Sequence, residues 1–224
     1  MSSTKAFALR IACDGESASG KSFASKAISK KFKLFCLNSG LLFRFASLLI
    51  LKHEPKKIIP FLKKKFKNLN YNKITQLNLH TQKISNHVVM LAQKKSVRAI
   101  TKALQKKIQR KYPRILVEGR DAASIILKKN PRYDVAFYFK CNLNTASLRR
   151  WRDLKKKVPL KVVKETLRSR TLTDKSRRNN PLKKMSDAVL IRTDILNKKA
   201  MVAKMSKEID KKLISKYGRN FKAR

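Results

Sequence analysis

Apolar residues along the chain gather into five short runs: Phe7–Asp14, Lys33–Leu37, Arg114–Glu118, Asp134–Cys141 and Ala188–Thr193. Each is rich in Phe, Val, Ile and Leu and nearly continuous, not alternating. That pattern predicts strands buried on both faces, as in a parallel sheet. Helical patterns separate the runs, so the chain reads as βαβ units. The expected fold is α/β, with a five-stranded parallel sheet between two helical layers. The strongest apolar stretch, Leu41–Leu51, is too short to span a bilayer and contains Arg44. The patch Ala6–Cys13 runs into a glycine-containing motif, not a small-residue cleavage site, and reads as the first strand.

A long section, about residues 54 to 111, lies between the second and third runs. Within it Phe66–Leu79 alternates enough to predict a short hairpin, and the rest reads as helix. A crossover of this length predicts a substrate-covering insert. Leu143–Leu172 reads as a charged helical pair broken at Val158-Pro159. The last helix is expected near Ile195, capped by Asp194. No repeat or Pro/Gly-rich linker divides the 224 residues, so one domain is expected. Its core would comprise 7–53, 112–150 and 185–224.

Four motifs carry chemistry. Gly15-Glu16-Ser17-Ala18-Ser19-Gly20-Lys21-Ser22 matches G-x-x-x-x-G-K-[ST] and sits between a predicted strand and a predicted helix, whose Phe23, Ala27 and Ile28 could face the sheet. Converging backbone amides and a helix N-terminus make such a loop an anion nest. Lys21 would reach the β- and γ-phosphates, and Ser22 would help hold Mg²⁺. Directly after the second strand come Ser39, Gly40 and Arg44, a set able to grip a second phosphate. Arg120 and Asp121 follow the third strand, where open α/β sheets bind ligands. Arg170, Asp174 and Arg177 share one helical face. That face is either a solvated ion pair or a lid bringing cations over a transferring phosphoryl group.

Composition changes this picture in two places. The net charge is +44, from 57 Lys and Arg against 13 Asp and Glu. Lysine is spread along the whole chain, with short runs at Lys63–Lys65 and Lys155–Lys157. Diffuse charge argues against a dedicated nucleic-acid module but predicts salt-sensitive association with polyanions. The three cysteines, Cys13, Cys36 and Cys141, have no metal or redox spacing and read as free thiols of a cytoplasmic protein. The three histidines, His53, His80 and His87, lack ligand-like spacing.

In this order, the four motifs resemble the bacterial cytidylate kinase family over about Leu9–Ile209. The family's D-G-P-x-x-S-G-K-[GS] stands here as Asp14–Ser22, its D-[ST]-G-x-x-Y-R as Asn38–Arg44, and its G-R-D-I-G-T as Gly119–Ser124. Its arginine-rich lid is similar to Arg170, Asp174, Arg177, Pro181 and Leu182, and Asp187-Ala188 opens the last strand. The resemblance implies a P-loop NTPase-type kinase, a nucleoside-monophosphate insert at about 54–111 and a lid at about 151–182. It implies ATP and Mg²⁺ as cofactors, with Gly15 to Phe23 as the nucleotide-binding segment, and CMP or dCMP as acceptor. Ser39, Arg44, Arg120 and Arg177 would hold the acceptor phosphate. Arg98 and Asp121 would read cytosine, and Arg170 and Asp174 would touch the sugar. Lys21, Arg120, Arg170 and Arg177 would be catalytic. Membrane association, a specific nucleic-acid partner and oligomerisation are not expected. Asn38, Phe43, Val89 and Ala122-Ala123 depart from the family pattern. Rival readings are a small P-loop kinase acting on AMP, UMP or a shikimate-type alcohol, and a basic nucleic-acid-binding protein.

Overall fold

The computed structural model describes residues 7–218. Five strands form one sheet: β1 (Leu9–Gly15), β2 (Phe35–Asn38), β3 (Arg114–Gly119), β4 (Val135–Lys140) and β5 (Val189–Arg192). Their order is β2-β3-β1-β4-β5, and every pairing is parallel. All five apolar runs became strands, within two residues at most ends. Side chains alternate between two cores. Leu9, Ile11 and Cys13 of β1 face one way, with Phe137, Phe139 and Leu116, and are covered by α1 (Lys21–Lys31) and α9 (Lys198–Tyr217). Ala12, Ile115, Val117 and Tyr138 face the other way, under α2 (Ser39–His53) and α6 (Lys95–Lys111). Burial on both faces explains why the runs are continuous. The architecture is the three-layer P-loop NTPase type.

Between β2 and β3 lie α2, α3 (Ile58–Lys67), α4 (Tyr71–Thr75), α5 (Gln82–Leu91) and α6. The expected hairpin at Phe66–Leu79 is therefore wrong. Leu62 and Phe66 are one turn apart on α3 and buried together. Pro60 stands in the first turn of that helix, where a proline is tolerated. Asn70 then caps α4 by accepting from the Asn72 amide. The apparent alternation was two short helices laid end to end.

After β4 come α7 (Leu143–Asp153) and α8 (Leu160–Ser176), separated around Val158-Pro159 as expected. They share a small core of Ala146, Val163 and Leu167. The last helix starts later than expected. Asn197, not Asp194, caps it, accepting from the Ala200 amide at 2.9 Å. Asp194 is instead taken by Arg192 at 2.7 Å and by Asn142, and Arg192 holds its carboxyl down at about 2. Phe23 does not face the sheet. It is 43% exposed under Lys198, while Ala24 and Ile28 make the contact.

The three cysteines are free, with Cys13 and Cys141 buried and Cys36 half-buried. Among the described residues no helix is long and apolar enough to cross a membrane.

Candidate active site

β1 ends against β4, and that approach demands a glycine. A Cβ on Gly15 would lie 2.4 Å from the Phe139 carbonyl oxygen. The chain then turns, with Ala18 and Gly20 at positive φ (55° and 72°), and Gly20 opens α1. Ser19 braces the turn by donating to the Glu16 carbonyl at 2.8 Å. This loop presents amides and a helix start at the carboxyl edge of the sheet, a setting for an anion. Glu16 puts a carboxylate where the family has proline, and Lys175 of α8 neutralises it at 2.7 Å.

Lys21 and Ser22 meet a carboxylate from the neighbouring strand. Glu118 Oε1 accepts from Lys21 Nζ at 3.2 Å and from Ser22 Oγ at 2.5 Å. Burial pushes the Lys21 ammonium down, with Glu118 opposing it. The other Glu118 oxygen accepts from Asn38 Nδ2 at 3.3 Å. Asn38 lies opposite Glu118 in the sheet register and caps α2 by accepting from Gly40. An aspartate there could accept from Gly40 but, when ionised, could not donate to Glu118. Tyr71 of α4 completes the chain of contacts, its hydroxyl accepting from the Asn38 amide at 2.7 Å. Asp14 serves a different role. It accepts from the amides of Ala122 and Ala123, both at 2.8 Å, fixing the π-helical turn Ala122–Ile126 behind Asp121. Burial pushes its carboxyl up to about 6 despite those two amides.

The remaining expected residues converge from four elements. Arg44 of α2 donates to the Leu79 carbonyl and to Ser85 Oγ. Burial, with Arg150 and Arg120 nearby, pushes its guanidinium down to about 10. Arg98 of α6 pairs with Asp121 and stands over the Phe43 ring, 5.3 Å from its centre. Arg120 bridges two sides, donating to Ser17 Oγ at 3.0 Å and to Asp174 at 2.7 Å. Asp174 also accepts from Arg177 at 3.2 Å. Burial pushes the Asp174 carboxyl up, but Arg120, Arg170 and Arg177 outweigh it and hold it below its ordinary range. Arg170 is pushed down to about 10 by burial and by Arg120. Arg177 falls just beyond the helix that was expected to carry it, at the end of α8, where it donates to the Asn180 carbonyl.

These side chains line a cleft of about 740 Å³. Six cations (Lys21, Arg44, Arg98, Arg120, Arg170, Arg177) face three carboxylates (Glu118, Asp121, Asp174), so the cleft is electropositive. Ser39 Oγ, Arg98 Nε and Arg177 Nη2 are buried here without a hydrogen-bond partner. Unsatisfied polar atoms are costly, and their concentration in one cleft marks a polar ligand's place. A second, more open cleft of about 1480 Å³ runs over the Gly15–Ser22 loop and Phe23. The two share Lys21, Asn38, Gly40, Arg44, Glu118, Arg120 and Arg170.

All the expected site residues line one cleft or the other, except Gly15 beneath the loop. The sequence reading missed three contributors. Arg149 donates to the Thr193 carbonyl at 2.7 Å and, with Arg150, lines the loop-side cleft. The adjacent Arg149-Arg150 pair was the available signal. Tyr71 carried none, since its partner Asn38 is 33 residues away.

A sequence model of the cytidylate kinase family matches residues 11–211. The chain belongs to that family. A cytidylate kinase of Clostridium botulinum (strain Okra) is 29% identical over 217 residues, covering 91% of this chain and 98% of the relative. A cytidylate kinase of Mesomycoplasma hyopneumoniae (strain 7448) is 26% identical over 220 residues, covering 92% and 95%. Among solved structures, an uncharacterised protein from Eubacterium ventriosum aligns with a TM-score of 0.50 at 15% identity, covering 91% of this chain and 98% of that one. A Thermus thermophilus protein aligns with a TM-score of 0.50 at 13% identity, covering 92% and 98%. Likeness at that identity speaks to the fold. Membership of the cytidylate kinase family makes the chain a kinase that phosphorylates a nucleotide.

Proposed function

We propose that the protein transfers the γ-phosphoryl group of ATP directly to CMP or dCMP. The observation that carries this reading is the overlap of the two clefts at Lys21, Arg120 and Arg170. A donor seated on the Gly15–Ser22 loop and an acceptor among Ser39, Arg44, Arg98 and Asp121 would meet there. Arg98 and Asp121, already paired, offer donors and an acceptor to a base edge. Ser39, Arg44 and Arg177 supply cationic and hydroxyl contacts for the acceptor phosphate.

Transfer then needs alignment and charge stabilisation, with no covalent enzyme intermediate. Lys21 faces the donor phosphates. Arg120, tied to both Ser17 and Asp174, sits where charge spreads over the equatorial oxygens. Arg170 and Arg177 close over the same point, and α7–α8 acts as the lid while α3–α6 form the acceptor insert. A lid over this overlap excludes water, which suppresses hydrolysis. The Ser22 hydroxyl with the Glu118 carboxylate is an all-oxygen set that suits Mg²⁺, which prefers few protein ligands plus phosphate oxygens. When bound, Mg²⁺ would neutralise charge on the donor phosphates.

The test is an acceptor panel with ATP and Mg²⁺, measuring ADP formed with CMP, dCMP, UMP, AMP and shikimate. CMP or dCMP should give the highest kcat/KM. A clear preference for AMP, UMP or shikimate would overturn the acceptor assignment.

A further inference from the structure

Between Pro55 and Val117 the sequence holds seventeen Lys and Arg and no Asp or Glu. All thirteen carboxylates lie outside this stretch of 63 residues. Basic density is similar elsewhere, so this region differs in lacking neutralisation. Nine ion pairs occur among the described residues, and only Arg98–Asp121 draws a cation from this stretch. On the opposite layer, α9 intersperses its lysines with Glu208 and Asp210, and Lys211 pairs with Glu208.

The fold carries eight of these cations on the outer sides of two packed helices. α3 and α6 pack together, turning Leu62, Phe66, Leu104 and Ile108 inward. Their outer sides carry Lys63–Lys65, Lys67, Lys102, Lys107, Arg110 and Lys111, all exposed. Crowding there is felt. Burial pushes Lys106 down, and Lys102 and Arg110 push it further. Between the end of α3 and the end of α6 runs a groove of about 920 Å³. Lys67 stands on one wall and Lys107 and Lys111 on the other, with the amides of Asn68, Asn70 and Asn72 along it. The groove lies toward the start of β2 at Phe35, away from the catalytic clefts at its end.

We propose that the α3–α6 face and its groove bind single-stranded nucleic acid. Phosphates along a flexible strand complement two walls of lysine, and side-chain amides can meet bases or sugars between them. A membrane surface is a poorer partner, because the apolar sides of both helices are already buried in the protein. The proposal does not rest on the acceptor assignment.

The test is fluorescence anisotropy of the full chain with a labelled 12-nucleotide oligouridylate over a salt series. Two charge-matched triple variants are compared with the parent. Lys67→Gln, Lys107→Gln and Lys111→Gln remove groove cations. Lys199→Gln, Lys207→Gln and Lys212→Gln remove exposed cations from α9. The groove triple should weaken binding about tenfold at 0.1 M salt and lower the log K–log salt slope by about 2, three contacts at ~0.7 each. The α9 triple should change binding less than about twofold, and both should keep parent kinase activity as a check of folding. Equal weakening by both triples, no binding by the parent, or groove-dependent binding to anionic vesicles but not to the oligonucleotide would each overturn the proposal.

Discussion

The two halves of the cleft are built in opposite ways. The side proposed for the donor is nearly continuous in sequence. Eight residues make the turn, and its geometry rests on backbone: Gly15 against Phe139, Gly20 in a left-handed conformation, α1 starting at Lys21. The side proposed for the acceptor is a mosaic of side chains from α2, α6, the end of β3 and α8. It holds its shape through mutual pairing: Arg98 with Asp121, and Asp174 with both Arg120 and Arg177. A backbone-built site presents its groups whether or not any single side chain is present. A site of paired side chains depends on its members, because Asp174 alone positions two arginines and Asp121 positions a third.

Replacing one group on each side sharpens this contrast. Lys21→Ala removes the donor-side charge without touching the turn, so kcat should fall about 10²–10³-fold with the fold intact. Steady-state rates with CMP and a far-ultraviolet spectrum check both parts. Near-parent kcat would mean that the loop works through its amides alone. Asp174→Asn should cost less, about 10- to 100-fold in kcat/KM for the acceptor, because Arg120 and Arg177 lose the carboxylate that aims them. If the loss appears only in the KM for ATP, Asp174 belongs to the donor half.

Tyr71→Phe probes the seam between the halves. It leaves the Asn38 amide without its partner, at about 1–3 kcal/mol of stability, and loosens the Asn38–Glu118–Lys21 chain. Denaturant unfolding should register that loss, with a few-fold decrease in kcat. The smallest effect concerns Asp14. Its folded-state pKa of about 6 lies above its ordinary 3.8, so the folded chain keeps this proton longer than the unfolded chain does. Asp14 therefore subtracts from stability progressively as pH rises from about 4 to about 6. Asp14→Asn should flatten that part of a Tm–pH curve, and an unchanged slope would refute the assignment.

The same division decided what could be read from sequence. Buried parallel strands must be apolar on both faces, so the five runs announced themselves. The Gly15–Ser22 turn was legible because its constraints are local. The acceptor residues were placed by likeness of motif order, and their pairing could not be read, since Arg98 and Asp121 are 23 residues apart and Arg120 and Asp174 are 54 apart. Errors fell where short elements abut. Lys67 to Tyr71 contains a helix end and a helix start, and the resulting irregular spacing imitates a strand period. Asp194 and Asn197 are both good caps, and only the competing pull of Arg192 and Asn142 decides between them.

Lys175 to Glu16, and Asp174 to Arg120 that itself bonds Ser17, already clasp α8 onto the Gly15–Ser22 turn. If the turn seats the donor as proposed, substrates must unfasten this clasp before α8 can close over them. Its outer half is solvent-facing, with Lys175 45% exposed, so dissolved salt loosens it. The same salt weakens retention of the phosphates inside. Turnover plotted against ionic strength should therefore rise before it falls, admission improving first and grip failing later.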